Sequence, residues 1–203
     1  RRSRDGFRAC GGYRIWYCWC THACEMAIGL GARVTVLDVN QSRLERIDEL
    51  YGGRVATLVA NPSNLENYAA DADLLVGAVL VPGGLAPNVV HAQTVKNMRE
   101  GSVVVDIAID QGGCIETIRP TSHENPIYKE YGVIHYAVPN MPALVGRTST
   151  IALTQATEPY LAKLVELGIE KAFKEDRFLR DGINVRNGEV VHPVVREALK
   201  KAP

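Results

Sequence analysis

Two aspartates stand where a carboxylate can do chemistry. Asp38 closes the run Arg33-Val34-Thr35-Val36-Leu37, and Asp110 follows Ser102-Val103-Val104-Val105-Asp106-Ile107-Ala108-Ile109. A carboxylate at the end of an apolar strand accepts hydrogen bonds from both hydroxyls of an adenosine ribose. It repels the extra phosphate of NADP, so it selects NAD. The same residue also serves as an ordinary turn or helix N-cap aspartate. Arg43, one turn further along, either lies along that ribose or is a solvated helix arginine. Asp110 precedes Gln111-Gly112-Gly113, and two glycines let backbone approach a ligand closely. It is placed for proton transfer beside a reacting carbon, or it caps turn amides.

The elements that must hold these residues alternate. Arg33 to Asp38 reads as a strand, and residues 40–50 have helical spacing, with Leu44, Ile47 and Leu50 on one face. Gly52-Gly53 ends that helix. Residues 54–59 form a second strand, and Asn61-Pro62-Ser63 caps a helix to about 72. Leu74-Leu75-Val76-Gly77-Ala78-Val79-Leu80 is apolar throughout, as in a parallel strand buried on both faces. A short helix over 91–98, the strand 102–108 and the strand 132–138, closed by Pro139, complete the pattern. The fold class is therefore α/β, a doubly wound parallel sheet. Ligands of such sheets bind outside the carboxyl ends of the strands. Those ends are Asp38, Val79-Leu80-Val81-Pro82-Gly83, the segment Asp106 to Asp110, and Val138-Pro139-Asn140-Met141. After residue 148 the character changes to helices, a long one over 149–168 and a shorter one over 171–179.

A dinucleotide site of this type needs Gly-x-Gly-x-x-Gly about 20 residues before the ribose acid. Residues 15–20 read Ile-Trp-Tyr-Cys-Trp-Cys instead. Shifting the reading frame by one base turns Trp16-Tyr17 and Trp19-Cys20 into glycines, because tryptophan has the single codon TGG and Tyr and Cys codons begin with T. The reading is that residues up to about Cys20 are translated out of frame, which resequencing of the DNA tests. Four of five cysteines, Cys10, Cys18, Cys20 and Cys24, fall within the first 24 residues. Their spacing is not that of a zinc site, so no metal is expected. Cys114 reads as a packing residue. The formal net charge is zero over 203 residues. That argues against nucleic acid or an anionic membrane as partner. No apolar run is long enough to span a bilayer, and the rest of the chain looks like a reduced, cytoplasmic protein.

From Thr21 to about Leu199 the chain resembles the alanine dehydrogenase and pyridine nucleotide transhydrogenase family. The resemblance lies in Gly29-Leu30-Gly31-Ala32-Arg33-Val34-Thr35-Val36-Leu37-Asp38, Gly77-Ala78-Val79-Leu80-Val81-Pro82-Gly83, Val105-Asp106-Ile107-Ala108-Ile109-Asp110-Gln111-Gly112-Gly113-Cys114, Pro139-Asn140-Met141-Pro142 and Thr148-Ser149-Thr150-Ile151-Ala152-Leu153-Thr154. It implies a Rossmann domain over 1–148 and, over 149–203, helices that pack on an amino-terminal substrate domain outside this sequence. It implies NAD as cofactor, with Asp38 and Arg43 at the adenosine, Val79 and Leu80 along it, and Ile107, Ala108, Ile109 and Asp110 under the nicotinamide ribose. Arg119 is a further contact, and Val138, Pro139, Asn140 and Met141 flank the nicotinamide. Asp110 matches the catalytic acid. Ala60 stands where the family often has serine. The implied reaction is oxidative deamination of L-alanine to pyruvate and ammonia by a homo-oligomer, a hexamer in the family. The family's histidine, arginine and lysine that grip substrate belong to the amino-terminal domain, and none of His22, His91, His123, His135 and His192 matches that histidine. The transhydrogenase nucleotide-binding subunit is the other reading within the family, but it typically carries Glu for Asp110 and Asn for Cys114. An inactive NAD-binding fragment is the reading outside enzyme function.

Overall fold

The computed structural model describes residues 14–17 and 21–201. Cys10, Cys18, Cys20 and most of the segment assigned to a shifted frame lie outside the described residues. The chain divides into two compact units, 1–80 with 86–139, and 81–85 with 140–203. The division falls after Pro139, ahead of the break expected at 148.

The first unit is built on one seven-stranded sheet: β1 (Arg14–Tyr17), β2 (Arg33–Asp38), β3 (Val55–Val59), β4 (Leu74–Gly77), β5 (Val103–Asp106), β6 (Ile127–Glu130) and β7 (Val133–Tyr136). The order is β3-β2-β1-β4-β5-β7-β6. From β1 the chain winds outward through β2 and β3, then returns to pair β4 on the other side of β1. That reversal is the switch point where doubly wound sheets open a crevice. The intervening helices are α1 (Thr21–Gly29), α2 (Gln41–Tyr51), α3 (Pro62–Ala70) and α4 (Ala92–Lys96). Strand side chains alternate between faces. Val34, Val36 and Val76 therefore pack with Ala27, Ile28, Leu44 and Ile47 on one side. Leu37, Leu75 and Val104 pack with Ala69 and Val95 on the other. Two covered faces explain the nearly unbroken apolar strands.

The structure departs from the sequence reading in instructive places. Residues 14–17, where a glycine turn is expected to begin, are an interior strand between β2 and β4, paired from Arg14↔Arg33 to Tyr17↔Val36. The helix α1 begins at Thr21. The sheet is not purely parallel, because β6 runs antiparallel to β7 at the edge. Their connection uses Tyr131 and Gly132 at φ 52° and 79°, the left-handed pair that a two-residue hairpin requires. Tyr-Gly does not advertise that turn as Asn-Gly does. β4 and β5 are shorter than the apolar runs that contain them, since residues 78–80 and the 3-10 helix Ile107–Gln111 leave the ladder.

The second unit contains α5 (Gly146–Leu167), α6 (Ile169–Glu175), α7 (Arg177–Asp181), the hairpin β8 (Val185–Arg186) and β9 (Glu189–Val190), and α8 (Pro193–Lys201). The single helix read over 171–179 is two. Asp176 leaves helical geometry at φ −114° and its carboxylate accepts the N–H groups of Phe178 and Leu179, which starts a new helix. Asn187-Gly188, at φ 53° and 83°, turns the hairpin. No residue of α5 is buried, and its apolar positions Leu153 and Leu161 are 66% and 61% exposed.

Candidate functional site: a crevice at the carboxyl end of the sheet

Asp38 reaches the crevice because β2 ends on it. Its Oδ1 accepts the N–H of Asn40 at 2.8 Å, and the next helix starts at once, with the Asn40 side chain accepting the N–H of Arg43 at 3.3 Å. That cap brings the Arg43 side chain back toward the strand end, where Nη1 lies 3.7 Å from Asp38 Oδ2. Asp38 is 4% exposed, so its carboxylate is fixed in direction before any ligand arrives. The neighbouring strand is tied to the same point, with the N–H of Ala60 donating to the Asp38 carbonyl at 3.0 Å.

These residues open onto a cavity of about 380 Å³. Asp38 and Arg43 form its polar end, and Ala60, Leu65, Ala78, Val79, Leu80 and Val89 supply apolar wall. An apolar slot with one fixed carboxylate suits adenosine, whose flat base is apolar on its faces and whose ribose offers two O–H donors. The residues present therefore fit the adenosine half of a dinucleotide. Four expected contacts, Asp38, Arg43, Val79 and Leu80, come together here. Leu65 and Val89 are additional wall residues that no sequence motif marks, because they are ordinary helix and loop apolar residues until the fold brings them to the crevice.

The second cluster lies beyond β5. Asp106 is fully buried and holds four donors. Its Oδ1 accepts the N–H of Ala108 at 2.9 Å and faces the Cys114 thiol at 3.6 Å. Its Oδ2 accepts the N–H groups of Cys114 at 2.7 Å and Ile115 at 3.2 Å. Burial pushes the Asp106 carboxyl pKa up, and the donors pull it the other way. The loop so held carries Ile107, Ala108, Ile109 and Asp110. Ala108 and Ile109 are buried, whereas Ile107 and Asp110 face solvent. Gly112 and Gly113 take φ 93° and 85°, and the Gly112 N–H closes the turn on the carbonyls of Ala108 and Ile109. Cys114 is buried, in keeping with a packing role.

Arg119 lies in neither cluster. Its guanidinium stacks on the Tyr128 ring at 4.2 Å, and the Arg119 backbone N–H donates to the Tyr128 hydroxyl at 2.9 Å. That hydroxyl donates to the Thr117 carbonyl at 2.8 Å. Tyr128 also stacks on buried His135, whose Nε2 meets Thr117 Oγ1 at 2.8 Å and whose Nδ1 meets the Val133 carbonyl at 3.1 Å. A carbonyl can only accept, so Nδ1 carries the proton and Thr117 donates to Nε2. Burial holds the His135 pKa down, which keeps the ring neutral. Val138 and Pro139 close the sheet after β7. Asn140 and Met141 belong to the second unit, where Asn140 takes φ 52° and its carbonyl accepts the N–H of Ala143. Among the described residues no group of His, Cys, Asp or Glu is arranged to hold a metal ion, and no helix is long and apolar enough to cross a membrane.

Sheet order, switch point and crevice define a doubly wound nucleotide-binding domain. Residues 19–193 match the family described as alanine dehydrogenase/PNT, C-terminal domain, and the chain belongs to that family. It is 52% identical over 180 residues to an alanine dehydrogenase of Staphylococcus saprophyticus and 50% identical over 181 residues to alanine dehydrogenase 2 of Staphylococcus aureus. These alignments cover 88% and 89% of this chain but 48% and 49% of the relatives. The chain thus spans about half the length of the curated relatives it matches. A solved L-alanine dehydrogenase superposes with TM-score 0.81 at 46% identity, covering 93% of this chain and 53% of that one. The transhydrogenase from Sinorhizobium meliloti superposes with TM-score 0.69 at 24% identity over 89% of this chain and 50% of its own, a likeness of fold alone. Membership in a dehydrogenase family supports a nicotinamide cofactor for this domain.

Proposed function

We propose that this chain is the cofactor-binding portion of an NAD-dependent alanine dehydrogenase, oxidising L-alanine to pyruvate and ammonia. The observation that carries the cofactor assignment is the fixed, 4%-exposed Asp38 carboxylate at the mouth of an apolar crevice. A fixed negative charge there accepts the two hydroxyls of an unmodified ribose and opposes a 2′-phosphate, which favours NAD over NADP. Arg43 braces Asp38 from the solvent side, and Val79 and Leu80 exclude water from the base. Bound NAD would supply the hydride acceptor. Asp110, exposed beyond β5, is the residue assigned to proton transfer. It takes a proton from the water that adds to the iminium and returns it to the departing ammonia. Val138, Pro139, Asn140 and Met141 are assigned to the nicotinamide side, and Arg119 to a further cofactor contact. The helices of 149–203 are assigned to packing against a substrate domain, in a homo-oligomer. The chain is assigned to a reduced, cytoplasmic setting, with Cys24 and Cys114 kept as buried thiols.

A chimera tests the reading. The amino-terminal half of the Staphylococcus saprophyticus relative is fused ahead of this chain, and NADH formation is followed with L-alanine. Alanine-dependent NADH formation that disappears in Asp110→Asn is expected. A folded, NAD-binding chimera that ignores alanine, or that instead passes hydride between two dinucleotides, contradicts the assignment.

A further inference from the structure

We propose that Asp106 is a positioning residue for the nicotinamide end of the cofactor, acting through the loop that it closes from within. The proposal rests on reading the crevice as a dinucleotide site. Adenosine at the ends of β2, β3 and β4 leaves the other half of a dinucleotide to run past the switch point to β5, since ligands of open sheets cross the carboxyl ends of the strands. What it meets there is the loop 107–113.

The start and the return of that loop are both tied to one carboxylate. Ala108 donates at the start, and Cys114 and Ile115 donate at the return. The surroundings are cut to fit. A Cβ on Gly113 would lie 3.0 Å from Asp106 Oδ2 and 2.3 Å from Ile118, and a Cβ on Gly77, at the end of β4, would lie 2.5 Å from the Cys114 sulfur. Both glycines therefore leave room for the carboxylate and its thiol donor. Asparagine has nearly the same shape but only one acceptor oxygen. Its NH₂ group must face either the Ala108 N–H or the Cys114 and Ile115 N–H groups, donor against donor. One end of the loop is then released while the fold around it stays filled.

The test uses this chain, with NADH and AMP as probes, each titrated by calorimetry. AMP reports the Asp38 crevice alone, and NADH reports both ends. Asp106→Asn is expected to weaken NADH about tenfold and AMP less than about twofold, as separated sites behave independently. Cys114→Ala keeps all three backbone donors and removes only the thiol. It is expected to weaken NADH about threefold with AMP unchanged, and it decides the matter alone if Asp106→Asn does not fold. Equal losses for both probes, or no loss for either, overturn the proposal, because a purely structural role moves both alike. Wild-type chain that binds AMP as tightly as NADH overturns it too, since no nicotinamide contact then exists to be positioned. Wild-type chain that binds neither probe sinks the crevice reading itself.

Discussion

Asp38 and Asp106 look alike in sequence. Each ends a valine-rich strand, and each accepts the backbone N–H two residues on, at 2.8 and 2.9 Å. They diverge in the second oxygen. At Asp38 it faces Arg43 across 3.7 Å at the mouth of the crevice. At Asp106 it turns inward to the N–H groups of Cys114 and Ile115. The difference comes from the residues on the carboxyl side of each aspartate. Asn40 caps a helix that carries the chain away from the strand end, whereas Gly112 and Gly113, both left-handed, fold the chain back over Asp106. One carboxylate is left facing the crevice, and the other is consumed in holding the loop that follows its strand.

Replacing both residues by leucine is the strongest way to break this comparison. Asp106→Leu leaves three buried N–H groups without acceptors and is expected to destabilise the first unit by about 4 kcal/mol. Asp38→Leu removes an acceptor at the cavity edge, where water can substitute, and is expected to cost about 1 kcal/mol. Urea denaturation measures both, and equal losses would show that the two strand ends are not differently built. The glycines give the next largest contrast. Gly113→Ala meets Ile118 at 2.3 Å as well as a left-handed backbone and is expected to cost about 3 kcal/mol. Gly31→Ala has the same backbone problem at φ +78° but open space around it, so about 1 kcal/mol is expected. Removing the α3 cap by Asn61→Ala, which loses the 2.8 Å bond from the Asn64 N–H, is expected to cost about 1 kcal/mol.

The smallest effect is on pH dependence. His135 is neutral inside the fold, with its pKa below the usual 6.5 because burial opposes charge. The unfolded chain takes up this proton near pH 6.5, so the contribution to stability is complete above that pH. It is lost as pH falls through the lowered folded value. Denaturation midpoints measured on either side of pH 6 are expected to fall more steeply in the native chain than in His135→Gln.

Much of this architecture is legible in the residues. Apolar strands at regular intervals, Asn40 and Asn61 as caps and Gly52 as a stop announce the winding, and Asp38 announces its own position. The remainder depends on contacts between segments distant in sequence. Asp106 sits inside an unremarkable Val-Val-Asp run, and nothing local reveals that Cys114 and Ile115 return to it. Asp110 draws notice in the sequence because glycines come after it, but those glycines serve the return of the loop over Asp106. The edge strand β6 is missed because Tyr131-Gly132 is an uncommon hairpin turn. Residues 14–17 become a strand because parallel pairing to β2 and β4 uses backbone and tolerates almost any side chain.

The functional assignment stands or falls on whether the fixed carboxylate at the end of β2 selects an unphosphorylated adenosine ribose. Titrating this chain with NADH and with NADPH decides it. NADH is expected to bind and NADPH to bind at least about tenfold more weakly, with the gap closing in Asp38→Asn as the charge that opposes the phosphate is removed. Equal affinity for the two dinucleotides in the native chain, or tighter binding of NADPH, would contradict the assignment.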